Sequence, residues 1–200
     1  MSAVAAAPPY PAPPSQAEVG AFYWTRERYD RAVEAGVFGP EDKVELIEGR
    51  IVPKMPQNNP HQVTTGIVSD TLRAAFGGGT HARDEKAVAL SDLSKPEPDV
   101  TVVRGQRRDY LGRTPGPTDV LLLVEVADST LADDRTRKAR IYAEAGVSEY
   151  WIVNLQNQVL EVHRGPVGGA YGTKTTHERG GAVSPVHAPG ASVAVADLLP

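Results

Sequence analysis

The chain has 200 residues, of which 40% are hydrophobic and 23% charged, with a formal net charge of −4 and no cysteine. These proportions belong to a globular protein, and the missing cysteine excludes disulfide frameworks, thiolate metal sites and thiol nucleophiles while fitting a reducing cytoplasm, the expected location. The 17 Pro and 19 Gly lack the period collagen needs, and the best apolar run, Val120 to Val124, falls far short of the roughly 18 residues of a membrane helix. The acidic balance gives no global attraction to a polyanion, so contact with one would need local basic clusters.

Residues 1–19 hold five prolines and six alanines and no basic residue. They predict a disordered, partly polyproline arm, with 20–200 as a single folded domain. Thr25 can cap a helix carrying Tyr29, Ala32 and Val33 on one face, stopped at Gly36. Val44 to Ile47 and Arg50 to Val52 read as two strands joined at Glu48-Gly49. Asn59 as cap and Pro60 as first residue open a second helix bearing Val63, Ile67, Val68 and Leu72, which ends at three glycines.

Strands are then expected over Ala82 to Leu90, Asp99 to Val103 and Val120 to Val126, the last so aliphatic that it should lie mid-sheet, covered on both faces. An arginine-rich loop spans Arg104 to Thr118. After Asp128-Ser129-Thr130 comes a helix through Asp134, Lys138, Ile141 and Tyr142 to Gly146. Strands follow at Glu149 to Val153 and Val159 to Arg164, with weak ones near Tyr171 to Thr176 and Val183 to His187. This order predicts a mixed sheet flanked by helices.

Two acids stand where a core prefers aliphatics: Asp99, after Pro98 at the head of a strand, and Glu125, inside LLLVEV. An ionised acid withdrawn from water must be paired, protonated or bound to a cation, and acids on neighbouring strands about 4.8 Å apart can share a divalent ion. Lys138 shares the helical stripe of Ile141 and Tyr142, so its ammonium should point toward the sheet. Taken singly, each residue has a plainer reading. Asp99 can cap a strand and Lys138 can snorkel to solvent. Glu45 and Glu48 alternate with apolar neighbours as exposed strand positions do. His61 suits a helix cap or surface position, and Arg104, Arg107, Arg108 and Arg113 can simply keep a loop soluble.

The segments VELIEGRIV, Pro60-His61, EPDVTVV and LLLVEVADSTLADDRTRKARIYAEAGVSEYWIVN, together spanning about residues 25–164, resemble the Uma-two family of bacterial endonucleases. Through it the chain is similar to the PD-(D/E)xK nuclease superfamily. The resemblance implies an α/β (α+β), restriction-endonuclease-like fold, a mixed sheet core flanked by helices, and a homodimer that hydrolyses phosphodiester bonds of DNA. It implies Mg²⁺, or Mn²⁺ in its place, at Asp99 and Glu125, with the carbonyl of Val126 as a further ligand. The superfamily lysine, two residues after the Glu, is replaced by Ala127, and the resemblance moves that role to Lys138. Glu45 and His61 join the catalytic set, while Arg104, Arg107, Arg108 and Arg135 are candidates for contacts to the nucleic-acid backbone. Two other readings keep these residues: an inactive nuclease-like binding or assembly module, and a metal hydrolase of small phosphoesters that uses His61.

Overall fold

The computed structural model describes residues 22–39 and 41–200, so the predicted arm lies outside the described residues. Helix α1 spans Arg26–Glu34, and the Thr25 side chain accepts from the Arg28 N–H at its start. Tyr29 and Ala32 are buried as expected, but Val33 lies on the exposed side. Strands β1 (Val44–Ile47) and β2 (Arg50–Pro53) form an antiparallel hairpin. Both turn residues have positive φ, 50° at Glu48 and 75° at Gly49, the twist that a two-residue hairpin requires.

Helix α2, Asn59–Phe76, starts one residue earlier than predicted. Asn58 is the cap, its side chain accepting from the His61 N–H at 3.0 Å. The buried face is Thr64, Thr65, Val68, Ser69 and Leu72, and Val63 is exposed. The strand predicted over Ala82 to Leu90 is shorter and earlier: β3 is Thr80–Asp84. It stops because Glu85 turns to φ 51° and donates its N–H to the Asp99 carbonyl at 2.9 Å.

Strands β4 (Val100–Arg104) and β5 (Val120–Ala127) follow, separated by a loop with short 3-10 turns at Arg107–Tyr110 and Pro117–Asp119. A single helical passage then runs as α3 (Leu131–Asp133), a π turn (Asp134–Lys138) and α4 (Ala139–Glu144). Next come β6 (Glu149–Asn154), β7 (Val159–Val167) and β8 (Ala170–Glu178). The weak strand expected near Val183 to His187 is only a two-residue β9, Ala182–Val183, paired with β10, Val193–Ala194.

The main sheet has the order β3-β4-β5-β6-β7-β8, with β5 and β6 parallel and every other pair antiparallel. That parallel pair needs a crossover, which the passage from α3 to α4 supplies. All eight residues of β5 are buried, as its aliphatic run predicts. On one face α2 and the chain end near Val195, Leu198 and Leu199 cover Val100, Val102, Leu122, Val124 and Val126. On the other, α4 and the β1–β2 hairpin cover Val103, Leu123, Ala127, Tyr150 and Ile152. From Leu123 onward the odd-numbered positions of β5 thus face α4, so Glu125, between Leu123 and Ala127, points into that layer and not toward α2.

Candidate active site

The register between β4 and β5 pairs Val100 with Val124, so one step further it sets Asp99 opposite Glu125. Both are buried, at 7% and 2% exposure. Such burial of two acids side by side is costly without partners, and the structure shows what those partners are. Asp99 Oδ2 accepts from the Val126 N–H at 2.7 Å and meets His61 Nε2 at 3.1 Å. Glu125 Oε1 accepts from the Tyr142 hydroxyl at 2.5 Å and pairs with Lys138 Nζ at 3.0 Å.

The second oxygen of each acid is nearly idle. Among the described residues Asp99 Oδ1 has only Gln57 Nε2 at 3.4 Å, and Glu125 Oε2 only the Asp99 N–H at 3.4 Å. A carboxylate offers about four lone-pair positions, so each acid is anchored by one oxygen and has acceptor capacity left on the other. The Val126 N–H is directed to Asp99, and its carbonyl leaves the same edge of β5, since a residue's N–H and C=O project to one side of a strand.

Lys138 does point inward, only 15% of its side chain exposed, on the last residue of the π turn. There the Ala139 N–H reaches back to the Asp134 carbonyl, a five-residue step that widens the turn. Tyr150 donates to the same carbonyl at 3.2 Å. Beneath the ammonium lies the buried Asp134, 3.5 Å away, held in turn by the Thr130 hydroxyl at 2.6 Å. Wide turns of this kind are frequent at functional sites.

These contacts set the protonation states. Burial pushes Glu125 well above the usual carboxylate range, with Asp99 and Asp134 adding to the rise against the Lys138 ammonium. Burial alone would raise Asp99 as well, but the hydrogen bond and charge of His61, then Lys138 and the Val126 N–H, bring it below its ordinary value. Burial opposes charge on Lys138, yet Glu125, Asp134, Glu45 and Asp99 outweigh it and hold the ammonium. His61 is raised because its bond to Asp99 overcomes burial. The environments thus drive two adjacent carboxylates in opposite directions, the pattern of an acid–base site.

Glu45 departs from the exposed position expected of it. It is buried at 5%, because the segment around Glu97 lies over β1, and its Oε2 accepts the Glu97 N–H at 3.0 Å, fixing the chain two residues before Asp99. His61 is likewise no surface cap; the first turn of α2 carries it onto Asp99, and its side chain is 13% exposed. One cleft collects Glu45, His61, Asp99, Glu125 and Lys138.

Sequence reasoning missed Lys54, Gln57 and Glu97 on that cleft wall, where Lys54 Nζ pairs with Glu97 at 2.9 Å. The polar run between β2 and α2 was the only signal for the first two. None of the four candidate arginines lines the cleft. Arg104 lies at the opposite end of β4 from Asp99, about 16 Å along the strand, with Arg107 and Arg108 in the turn beyond it. Arg135 is turned to Glu161, which it grips through Nε at 2.9 Å and Nη2 at 2.6 Å.

Among the described residues no group of three or more His, Cys, Asp or Glu is arranged to hold a metal ion. Two acids with one oxygen each to spare are instead the kind of donor set magnesium takes, since it binds through one or two carboxylates and keeps its waters. No described helix is long and apolar enough to cross a membrane.

No curated protein matches the chain. Among solved structures, a crystal structure titled as a putative nuclease belonging to DUF820 from Anabaena variabilis ATCC 29413 aligns with a TM-score of 0.66 at 17% sequence identity, covering 87% of this chain and 96% of that one. That likeness shows the fold, which is restriction-endonuclease-like. The model of the Uma2 family, described as "Putative restriction endonuclease", matches residues 26–196. The match spans most of the chain, and the chain belongs to this family.

Proposed function

We propose that the chain is a metal-dependent endonuclease that hydrolyses phosphodiester bonds of DNA. The family's description and the nuclease title of the structural neighbour support a nuclease in general. The observation that carries the finer reading is the pair of half-anchored carboxylates, Asp99 and Glu125, with Lys138 on one of them. A second observation agrees. Six acids line the cleft, Glu45, Glu97, Asp99, Glu125, Asp128 and Asp133, against Lys54, Lys138 and His61, so a phosphodiester entering it meets an excess of negative charge. A divalent cation removes that repulsion.

Asp99, Glu125 and the Val126 carbonyl would hold Mg²⁺, or Mn²⁺, leaving the remaining positions to water and a phosphate oxygen. Bound there, the ion supplies Lewis-acid stabilisation of phosphate charge and makes a nearby water more acidic. Lys138 Nζ, fixed between Glu125 and Asp134, orients the attacking water and offsets the charge that grows on the phosphate. His61, whose bond to Asp99 favours its protonated form, adds a second basic group beside the phosphate. Lys54 sits on the cleft wall, where it can exchange Glu97 for the backbone. Arg104, Arg107 and Arg108 are exposed and form no ion pair among the described residues, which suits sequence-independent contacts a few base pairs away. The Glu161 pair removes Arg135 from that role.

Cleavage of supercoiled plasmid in Mg²⁺ tests this reading. Wild type should nick it, and Glu125→Gln and Lys138→Met should each lose at least about 100-fold in rate, the scale of a lost preorganised charge or donor. Equal activity in all three overturns the assignment. Cleavage of small phosphodiesters with none of DNA favours the small-phosphoester hydrolase, and metal-independent DNA binding without cleavage favours the inactive module.

A further inference from the structure

We infer that Tyr142 is a positioning residue, one that aims the Glu125 carboxylate at the metal. The inference rests on the metal reading proposed above and deepens it. Glu125 sits in the middle of a hydrophobic layer, where an unrestrained carboxylate would be free to turn about its last bond. Both strong contacts fall on the same oxygen, Oε1: the Tyr142 hydroxyl at 2.5 Å and Lys138 Nζ at 3.0 Å. The other oxygen, Oε2, is thereby turned toward the Asp99 main chain, with a single long contact at 3.4 Å. Lys138 has two anions to serve, Glu125 and Asp134. The phenol serves only Glu125, and the phenol is rigid.

Tyr142 can do this because its ring is locked. It is fully buried and meets Tyr150 edge-on, with centroids 4.9 Å apart. It lies four residues after Lys138, so one helical stripe presents both donors to one oxygen. Outer partners that fix a ligating carboxylate typically change metal affinity 10- to 100-fold when removed. Tyr171 provides the comparison. It is a buried phenol of the same aromatic cluster, its ring centroid 6.1 Å from that of Tyr150, and its hydroxyl has no hydrogen-bond partner among the described residues.

Mn²⁺ titration followed by electron paramagnetic resonance, on wild type, Tyr142→Phe and Tyr171→Phe, is the test. Tyr142→Phe should bind Mn²⁺ 10- to 100-fold more weakly, while Tyr171→Phe stays within about twofold of wild type despite the same loss of a buried hydroxyl. Equal affinity in wild type and Tyr142→Phe overturns the inference alone; a wild-type chain that takes up no Mn²⁺ overturns the metal reading and this inference with it. Should Tyr142→Phe fail to fold, 3-fluorotyrosine labelling of the otherwise native chain decides. Its ¹⁹F resonance at position 142 should shift on adding Mg²⁺ and that at 171 should not, and a static signal at 142 counts against the role.

Discussion

His163 is buried against Tyr150 and Tyr171, its Nδ1 without a hydrogen-bond partner, and burial, reinforced by the Lys174 charge, pushes its pKa down to about 4. Between about pH 6.5 and 4 the unfolded chain takes up a proton that the folded one refuses, so this residue makes stability fall as pH drops through that window. From pH 7 to pH 5 the loss from this residue is about 2 kcal/mol. Urea unfolding of wild type and His163→Met at both pH values should show the wild type losing about that much more than the variant; equal losses would contradict a neutral buried imidazole. Residues of this kind differ in how legible they are. Asp99 and Glu125 stood out because an acid inside an aliphatic strand violates the expected pattern, and Lys138 because its stripe-mates are apolar. Glu45 was misread because alternation assumes one wet face, whereas β1 is buried on both from Glu45 to Ile47. His61 meets Asp99 across 38 residues of chain, a contact no local pattern encodes.

At the scale of elements, the start of α2 links folding to the site. Asn58 caps the helix through the His61 N–H and donates to Asp128 Oδ2 at 2.7 Å. Asn58→Ala should therefore cost about 1 kcal/mol, a fall in Tm of roughly 2–4 °C for a chain of this size, and an unchanged melting curve would contradict the cap. The asparagine run made a cap legible, though one residue out of place, since Asn58 and Asn59 are equally good candidates by type. The π turn had no comparable signal. It arises where Asp134 is drawn beneath Lys138 and its carbonyl is taken by Tyr150, both tertiary contacts. The strand expected to reach Leu90 failed for a similar reason, ending at Asp84 just before Glu85, whose N–H is claimed by the Asp99 carbonyl.

For the molecule as a whole, the mixed sheet was legible from element order, and the central place of β5 from its uninterrupted aliphatic run. The part after Gly165 was not, because β8 is mostly exposed and the buried Val195, Leu198 and Leu199 belong to a short turn with no periodicity. What the fold accomplishes is to bring the start of β4, the end of β5, the first turn of α2 and the π turn to one cleft, so that acids from two neighbouring strands and basic side chains from two helical segments meet there. The central claim is that the two strand acids share a metal ion. Anomalous diffraction from crystals soaked in Mn²⁺ tests it most directly: one peak should lie about 2.1 Å from an oxygen of Asp99 and an oxygen of Glu125, the distance a magnesium site demands. Density that touches neither carboxylate, with Lys138 and His61 still closing both, would contradict it.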